Sequence, residues 1–144
     1  FGIFSLGAVA AGWIVGHLAK SNPQKVLAIA ILIEGLIMLM YIPNLGINFI
    51  YALQALYGLT GASIIALEQI LIAQSSNGES KTIGNYNSKI QIAIGIAMIS
   101  SGFLATQIGN TWVIVISVFI LLITAVIAMQ YNPQMEDWRH KGMI

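Results

Sequence analysis

Two carboxylates lie inside long runs of apolar residues, where an acid needs a chemical reason. Glu34 interrupts the stretch AILIEGLIMLM, and Glu68 lies within IIALEQILIA. In lipid a charged carboxylate costs about 2.5–3.5 kcal/mol, so the group must face protein or trapped water, or carry a proton. An acid that takes up and releases a proton as its cavity opens to either side suits a proton-coupled carrier. Glu34 and Glu68 are therefore our proton-coupling candidates.

Each acid also has a structural interpretation. Glu34 follows Lys25 by nine residues, which is roughly 13 Å along a helix and near the middle of a span. There, a protonated carboxyl can bond to a neighbouring helix for structural reasons. Glu68 lies close to the polar loop QSSNGESKT, so its side chain can instead extend to the membrane interface.

Two candidate helices carry a face of small and polar residues. In the first, Gln54, Gly58, Gly61, Ile65 and Glu68 recur at spacings of four, three, four and three, which places them on one face. Such a face suits either a cavity wall or close packing against another helix.

The second face belongs to the next candidate helix. Its members follow one another at three- or four-residue steps: Gly84, Ser88, Gln91, Gly95, Met98, Gly102 and Thr106. Small residues let helices in lipid approach closely, and cavity lining is the other use. If the two faces line a cavity, the substrate-path candidates are Gln54, Gly58, Gly61, Gln91, Gly95 and Met98.

The composition indicates the solvent around these helices. Hydrophobic residues make up 58% of the 144 residues and charged residues only 8%, with a mean hydropathy of +0.85, whereas soluble domains carry roughly a quarter charged residues. This predicts a membrane protein. The net charge of +1 gives no reason to expect a nucleic-acid partner, and cysteine is absent, so no disulfide or thiolate metal site can form. We expect neither cofactor nor metal.

Apolar runs bounded by Pro, Gly or polar residues predict an all-α transmembrane bundle. The chain is divided into this bundle, residues 1–131, and a C-terminal tail, residues 132–144. The predicted spans cover about 1–19, 25–42, 48–73, 83–107 and 112–131. The chain opens at Phe1 without an initiator Met, so we expect further N-terminal helices of the same protein as partners of this bundle.

The basic residues all fall on one side of an alternating topology. They lie between the first and second spans, around the junction of the third and fourth, and in the tail: Lys20, Lys25, Lys81, Lys89, Arg139 and Lys141. The two loops on the other side, IPNLGIN and IGNT, carry no charge. The positive-inside rule then predicts a cytoplasmic C-terminus.

The segment GWIVGHLAKSNPQKVL resembles a loop of major facilitator superfamily transporters, the one joining helices two and three or eight and nine. That loop usually reads Gly, three residues, Asp, a basic residue, one more, Gly and two basic residues. Gly12 matches, Gly16 takes the place of the Asp, His17 stands for the first basic residue, and Lys20 and Lys25 supply the later charge. The resemblance implies a gating loop at these five residues, although the missing Asp removes the usual basis of a conformational latch.

A second segment, KTIGNYNSKIQIAIGIAMISSG, is similar to the entry into helix eleven of bacterial drug-exporting members. The five spans would then be helices eight to twelve. Helices two to six are the rival, but the fourth span lacks the Gly-Pro pair common in the fifth helix of drug/proton antiporters. The resemblance puts helices ten and eleven near the substrate path, with nine and twelve outside. It therefore favours Glu68, Gln54 and the Gln91 face for function, and a structural contact for Glu34.

The resemblance implies a secondary transporter of the bacterial cytoplasmic membrane, namely a proton-coupled antiporter for multidrug efflux of lipophilic or amphipathic small molecules. Its partners would be the lipid bilayer, the substrate and protons. The alternative is a non-transporting membrane subunit or scaffold whose small-residue faces dock partner helices and whose acids are structural. An enzyme would need a nucleophile or a metal cluster, and the sequence offers no HExxH motif or phosphate-binding glycine loop.

Overall fold

The computed structural model describes residues 2–18, 22–43, 45–76 and 79–130, and these form five α-helices. They are α1 (Gly2–Leu18), α2 (Pro23–Leu39), α3 (Ile47–Ser75), α4 (Ser80–Ile108) and α5 (Asn110–Gln130). No strand occurs within these ranges. The prediction of an all-α bundle of five helices is confirmed. Lys20 and the tail 132–144 lie outside the described residues.

Local sequence explains where the helices begin and end. α2 begins two residues before the predicted Lys25, because Pro23 occupies the first turn and the side chain of Asn22 accepts a hydrogen bond of 3.1 Å from the Lys25 N–H. Both are favourable at a helix start. Gly46 precedes α3 with φ of 96°, and Gly109 follows α4 with φ of 84°. Other residues rarely adopt these angles, so the two glycines permit short connections.

Three of the described helices, α3, α4 and α5, are long and apolar enough to cross a membrane by length and composition. α3 and α4 each contain 29 residues, or about 44 Å at 1.5 Å per residue, so they must tilt in or extend beyond a hydrocarbon core of about 30 Å. α1 is apolar but shorter, with 17 residues.

The helices pack in an order that differs from their order in the chain. α3 lies between α1 and α2, α2 also packs against α5, and α4 rests mainly on α5. No residue of α4 is buried. α4 is therefore the least covered helix of the bundle.

The two ends of the bundle differ in charge. We call the end with the α2–α3 and α4–α5 connections the uncharged end, because residues 40–46 and Gly109 carry no charge. The opposite end, which we call the charged end, carries the α1–α2 and α3–α4 connections with Lys25, Glu79 and Lys81.

Aliphatic side chains fill the half of the bundle nearest the charged end. We call this group the apolar cluster, and its buried members are Val15, Leu27, Ala30, Ile31, Leu67 and Ala125. They come from α1, α2, α3 and α5, so four helices are joined there.

α1 and α3 approach each other closely at two glycines. A Cβ added to Gly58 would overlap the carbonyl oxygen of Phe4, and one added to Gly7 would overlap the carbonyl oxygen of Ala55. Each glycine thus lets a backbone carbonyl of the other helix come near, which is how small residues help helices to associate in lipid.

Candidate functional site

A cavity of about 490 Å³ lies between α2, α3, α4 and α5, toward the uncharged end. Its lining comes from the last part of α2 and the turn after it, the first part of α3, the last part of α4 and the first part of α5. These residues are Met38, Tyr41, Gln54, Tyr57, Ser101, Gly102, Ala105, Asn110, Val113 and Ile114. The volume falls within the roughly 300–1,000 Å³ of small-molecule sites, which are also mostly apolar with a few polar groups.

The sequence explains why space remains there. α4 contributes only small side chains to the lining, Ser101, Gly102 and Ala105. A Cβ added at Gly102 would meet nothing within 4 Å. The α4 wall of the cavity therefore leaves room that larger residues would fill.

Glu34 lies beside this cavity on the face of α2 that lines it. Met38 and Tyr41 follow Glu34 by four and seven residues, which puts all three on one face. The hydroxyl of Tyr57 on α3 donates a hydrogen bond to the Glu34 carboxyl group. Since Tyr57 also lines the cavity, its side chain links the carboxyl to the cavity wall.

Two polar atoms of this region have no hydrogen-bond partner among the described residues. They are the Oε2 atom of Glu34 and the hydroxyl of Tyr41, and both atoms are buried. Most buried polar side-chain atoms in proteins do have a partner, so each of these two atoms requires an explanation.

The ring of Tyr57 is supported from behind by α1. The rings of Phe4 and Tyr57 pack with their centroids 6.1 Å apart and their planes tilted by 48°, within the range of favourable aromatic pairs. Gly58, the next residue, contacts the backbone of Phe4. α1 thus helps to hold Tyr57 against Glu34.

The second acid, Glu68, occupies a different environment. It is half-buried on α3 toward the charged end and interacts electrostatically with Tyr86 of α4. The neighbouring Gln69 donates a hydrogen bond of 2.7 Å from Nε2 to Oδ1 of Asn87. Polar side chains therefore join α3 and α4 here. The two acids also interact electrostatically with each other.

The structure separates the predicted substrate-path residues. Gln54 lines the cavity, Gly58 packs against α1, and Gly61 has open space at its Cβ position. The three α4 candidates lie outside the cavity lining: Gln91 and Met98 are exposed, and Gly95 has nothing within 4 Å of an added Cβ. As substrate-path residues, all six stay predictions.

The gating-loop candidates lie at or near the charged end. Gly12 and Gly16 have open space around an added Cβ. The Nδ1 atom of His17 is 2.9 Å from the carbonyl oxygen of Trp13 within α1. Lys25 is exposed in the first turn of α2. Their gating role stays a prediction.

Sequence reasoning did not select Tyr41, Tyr57 or Asn110. A signal for two of them exists in the chain, because Tyr41 is on the Glu34 face and Tyr57 follows Gln54 by three residues. Asn110 has no such signal beyond its place at the start of α5. In the described part of the chain, no group of three His, Cys, Asp or Glu side chains could hold a metal ion.

Apolar helices with two half-buried acids define a multi-pass integral-membrane bundle. A sequence model of the Major Facilitator Superfamily matches residues 1–143. The chain belongs to this superfamily, whose members are membrane transporters of small molecules and generally not enzymes. Neither the curated proteins nor the solved structures gave a significant match.

Proposed function

We propose that this chain belongs to a proton-coupled exporter of lipophilic or amphipathic small molecules that works by alternating access. The observation that carries the proposal is the pairing of an in-membrane carboxyl group, Glu34, with the wall of a cavity through Tyr57. Secondary transporters bind substrate and coupling ion near the middle of the membrane and expose the site to one side at a time. An acid next to a cavity can exchange protons as that exposure changes.

Glu34 is the first choice for the proton carrier, and Glu68 is the second. Glu34 touches a residue of the cavity wall, whereas Glu68 lies among the polar side chains that join α3 to α4. The resemblance of the sequence to drug-exporting transporters instead favours Glu68 over Glu34 as the functional acid. Glu68 therefore remains a candidate, and its interaction with Glu34 lets the proton occupancy of one acid influence that of the other.

The packing of the bundle supports an inside-closed, outside-open arrangement. The apolar cluster fills the charged end, while the cavity lies toward the uncharged end. With the C-terminus in the cytoplasm of a bacterial cell, as the positive-inside rule requires, the cavity is on the outer side of the membrane.

Cysteine labelling tests this orientation directly, because the chain has no native cysteine. Leu45→Cys and Lys81→Cys place single thiols at exposed positions of the uncharged and charged ends. In intact cells, a membrane-impermeant maleimide should label only the Leu45 variant, and the Lys81 variant should react after the membrane is permeabilised. The reverse pattern, or equal labelling of both in intact cells, overturns the orientation.

Transport across vesicles tests the coupling. The full-length protein is reconstituted, a pH gradient is imposed, and movement of a fluorescent lipophilic substrate is recorded. Transport should depend on the gradient, and Glu34→Gln should abolish that dependence. Glu79→Gln, which removes the same charge from an exposed site at the start of α4, is the matched control. Transport indifferent to the gradient removes proton coupling, and full coupling in the Glu34 variant removes Glu34 from the coupling mechanism.

A non-transporting membrane subunit is the second candidate function. The exposure of α4 favours this function. No residue of α4 is buried, and its face of small residues has open space at Gly84, Gly95 and Gly102. This alternative predicts no response to substrates. Trp112 lies between two lining residues, Asn110 and Val113, so its fluorescence in a Trp13→Phe, Trp138→Phe background should change when a carrier binds its substrate, and should stay constant in a scaffold.

A further inference from the structure

We propose that Tyr41 is a positioning residue for proton coupling, because its hydroxyl donates a hydrogen bond to Oε2 of Glu34 when the uncharged end closes. This bond shuts the acid off from the outer side of the membrane. The inference rests on the proposed function in that Glu34 is the proton carrier. It deepens that function by naming the side chain that controls when Glu34 exchanges its proton.

The two atoms are complementary and belong to one cluster of side chains. The Oε2 atom of Glu34 and the hydroxyl of Tyr41 are both buried, and neither has a hydrogen-bond partner among the described residues. A tyrosine hydroxyl donates and a carboxyl oxygen accepts. Tyr57, whose hydroxyl bonds to the carboxyl group of Glu34, also interacts electrostatically with Tyr41. A bond between the two unpaired atoms would recover free energy that each now costs.

The spacing along α2 allows the two atoms to meet. Tyr41 follows Glu34 by seven residues, which is two helical turns, or roughly 10 Å along the axis. This spacing keeps both residues on one face. A tyrosine and a glutamate side chain that lean toward each other can span such a separation. A modest movement of one of them therefore makes the bond.

Tyr41 is the residue that can move. Glu34 lies within α2 next to Gly35, which is buried against α5. Tyr41 follows the last residue of α2, in a turn where its own N–H donates a hydrogen bond of 3.1 Å to the carbonyl oxygen of Met38. Residues at the end of an element commonly absorb the backbone changes of a closing motion. Closure of the uncharged end can thus carry the Tyr41 ring toward Glu34 while the acid stays in place.

Such a bond fits a carrier that takes protons from the outer side. In the outside-open arrangement Tyr57 links Glu34 to the cavity wall, and water in the cavity can deliver a proton. After closure two hydroxyls donate to the carboxyl group, and these bonds are stronger when the acceptor is ionised. The closed arrangement therefore holds Glu34 after it has released its proton to the inner side. Tyr41 keeps its own proton throughout.

Fluorine NMR tests the pairing. 3-Fluorotyrosine replaces Tyr41 in the full-length protein through an amber codon, and fluorine spectra are recorded in detergent micelles. We expect two resonances, one from the open and one from the closed arrangement. Glu34→Met has a similar shape but no carboxyl oxygen. It should lower the ratio of the closed to the open resonance about 10-fold, which corresponds to about 1.4 kcal/mol. A single resonance, or a ratio that Glu34→Met leaves unchanged, overturns the proposal.

Further variants identify the partner of Tyr41. Glu34→Gln keeps an acceptor oxygen, so its ratio should lie between those of the native protein and Glu34→Met. A ratio equal to that of Glu34→Met would follow charge rather than a hydrogen bond and overturns the proposal. Gln54→Met removes a neutral acceptor from the cavity lining and Glu79→Gln an exposed charge. Neither should change the ratio, and a fall in either variant assigns a different partner. The same label at Tyr51, exposed on α3, should give one unchanged resonance in every folded variant.

Proton leak tests the consequence of the bond. Full-length protein is reconstituted in vesicles that contain a pH-sensitive dye, and a pH gradient is imposed without substrate. Tyr41→Phe should raise the leak about 10-fold, the factor by which the closed arrangement is weakened, because Glu34 stays accessible from outside while the inner side opens. The same substitution in a Glu34→Gln background should not raise it, and Tyr51→Phe should keep the native rate. A leak that Tyr41→Phe does not change, or raises equally in both backgrounds, overturns the positioning role.

The outcome is separable from that of the proposed function. A closed resonance that depends on Glu34, without gradient-dependent transport in vesicles, removes the proposed function and keeps the bond between Tyr41 and Glu34. Gradient-dependent transport with a resonance indifferent to Glu34 removes the bond and keeps the transporter.

Discussion

The uncharged and charged ends of the bundle are built from several of the same helices but are filled in different ways. Near the charged end, aliphatic side chains of α1, α2, α3 and α5 form the apolar cluster. Near the uncharged end, tyrosine, glutamine and asparagine side chains line a cavity together with apolar side chains of α2, α4 and α5. α3 contributes Leu67 to the first and Tyr57 to the second. α3 thus contributes both to the closed half of the bundle near the charged end and to the open half near the uncharged end.

The difference teaches how the bundle holds an acid in the membrane. Small residues of α2 and α5, such as Ala30 and Ala125, let these helices meet closely within the apolar cluster. At the other end the small residues of α4 leave space instead. Glu34 lies on α2 between Ile31 of the cluster and Met38 of the cavity. It therefore occupies the boundary between the two regions.

The largest expected effect comes from breaking the apolar cluster. Leu67 is fully buried, and Leu67→Ala should destabilise the protein by about 2–5 kcal/mol, because it removes buried contacts and leaves a void. The measurement is unfolding in detergent followed by circular dichroism. Ile65→Ala, two residues away on the lipid-exposed side of α3, is the control and should change the stability little. Equal losses in the two variants would mean that the cluster does not close the charged end.

The next effect concerns the glycines of α3. Gly58→Ala should destabilise the bundle by about 1–3 kcal/mol, because its new methyl group overlaps the backbone of Phe4 and pushes α1 away. Gly61→Ala meets open space and should be neutral or slightly stabilising, since Ala is the better helix former. The pair separates packing from cavity lining, two roles that the sequence spacing left open. The measurement is thermal unfolding in detergent, and a stable Gly58 variant would contradict the close approach of α1 and α3.

These glycines show what the sequence can and cannot predict. Pro23, Gly46 and Gly109 mark helix ends by their backbone preferences, so the five helices follow from local chemistry. The 3.6-residue period assigns residues to a face but not to the neighbour that the face meets. Gly58 and Gly61 were therefore indistinguishable in the sequence, although only Gly58 contacts α1.

The same limit applies to the candidate site. An acid within an apolar run needs either a functional or a structural reason, so its surroundings in the sequence make Glu34 a candidate without deciding between the two. Its partner Tyr57 comes from a helix that begins after the α2–α3 connection, and only the packing of α2 on α3 brings the two side chains together. The cavity also depends on four helices meeting at one end, which no single-helix pattern encodes.

A smaller effect is expected at the boundary between the two regions. Tyr57→Phe keeps the ring against Phe4 but removes the hydrogen bond to Glu34, so the stability should fall by only about 1 kcal/mol. The dependence of substrate transport on the pH gradient should change more than the free energy of unfolding, because the carboxyl group of Glu34 loses its link to the cavity wall. Unfolding and vesicle transport are measured on the same variant. Tyr51→Phe, at an exposed position of α3, is the control. A variant with native coupling would show that Glu34 acts without Tyr57.

The smallest effect is expected at the α3–α4 contact of the charged end, where Gln69 bonds to Asn87. Interhelical hydrogen bonds in membranes contribute about 0.6 kcal/mol on average. A double-mutant cycle with Gln69→Ala and Asn87→Ala should give a coupling energy of about this size in detergent unfolding. Because α4 has no buried residue, this bond is a large share of what attaches α4 to α3. Its removal should make the α3–α4 connection clearly more sensitive to proteolysis and lower the free energy of unfolding only slightly. A coupling energy of zero would mean that the bond between Gln69 and Asn87 does not help to attach α4 to α3, and the contact at the charged end would then depend on other interactions such as that of Glu68 with Tyr86.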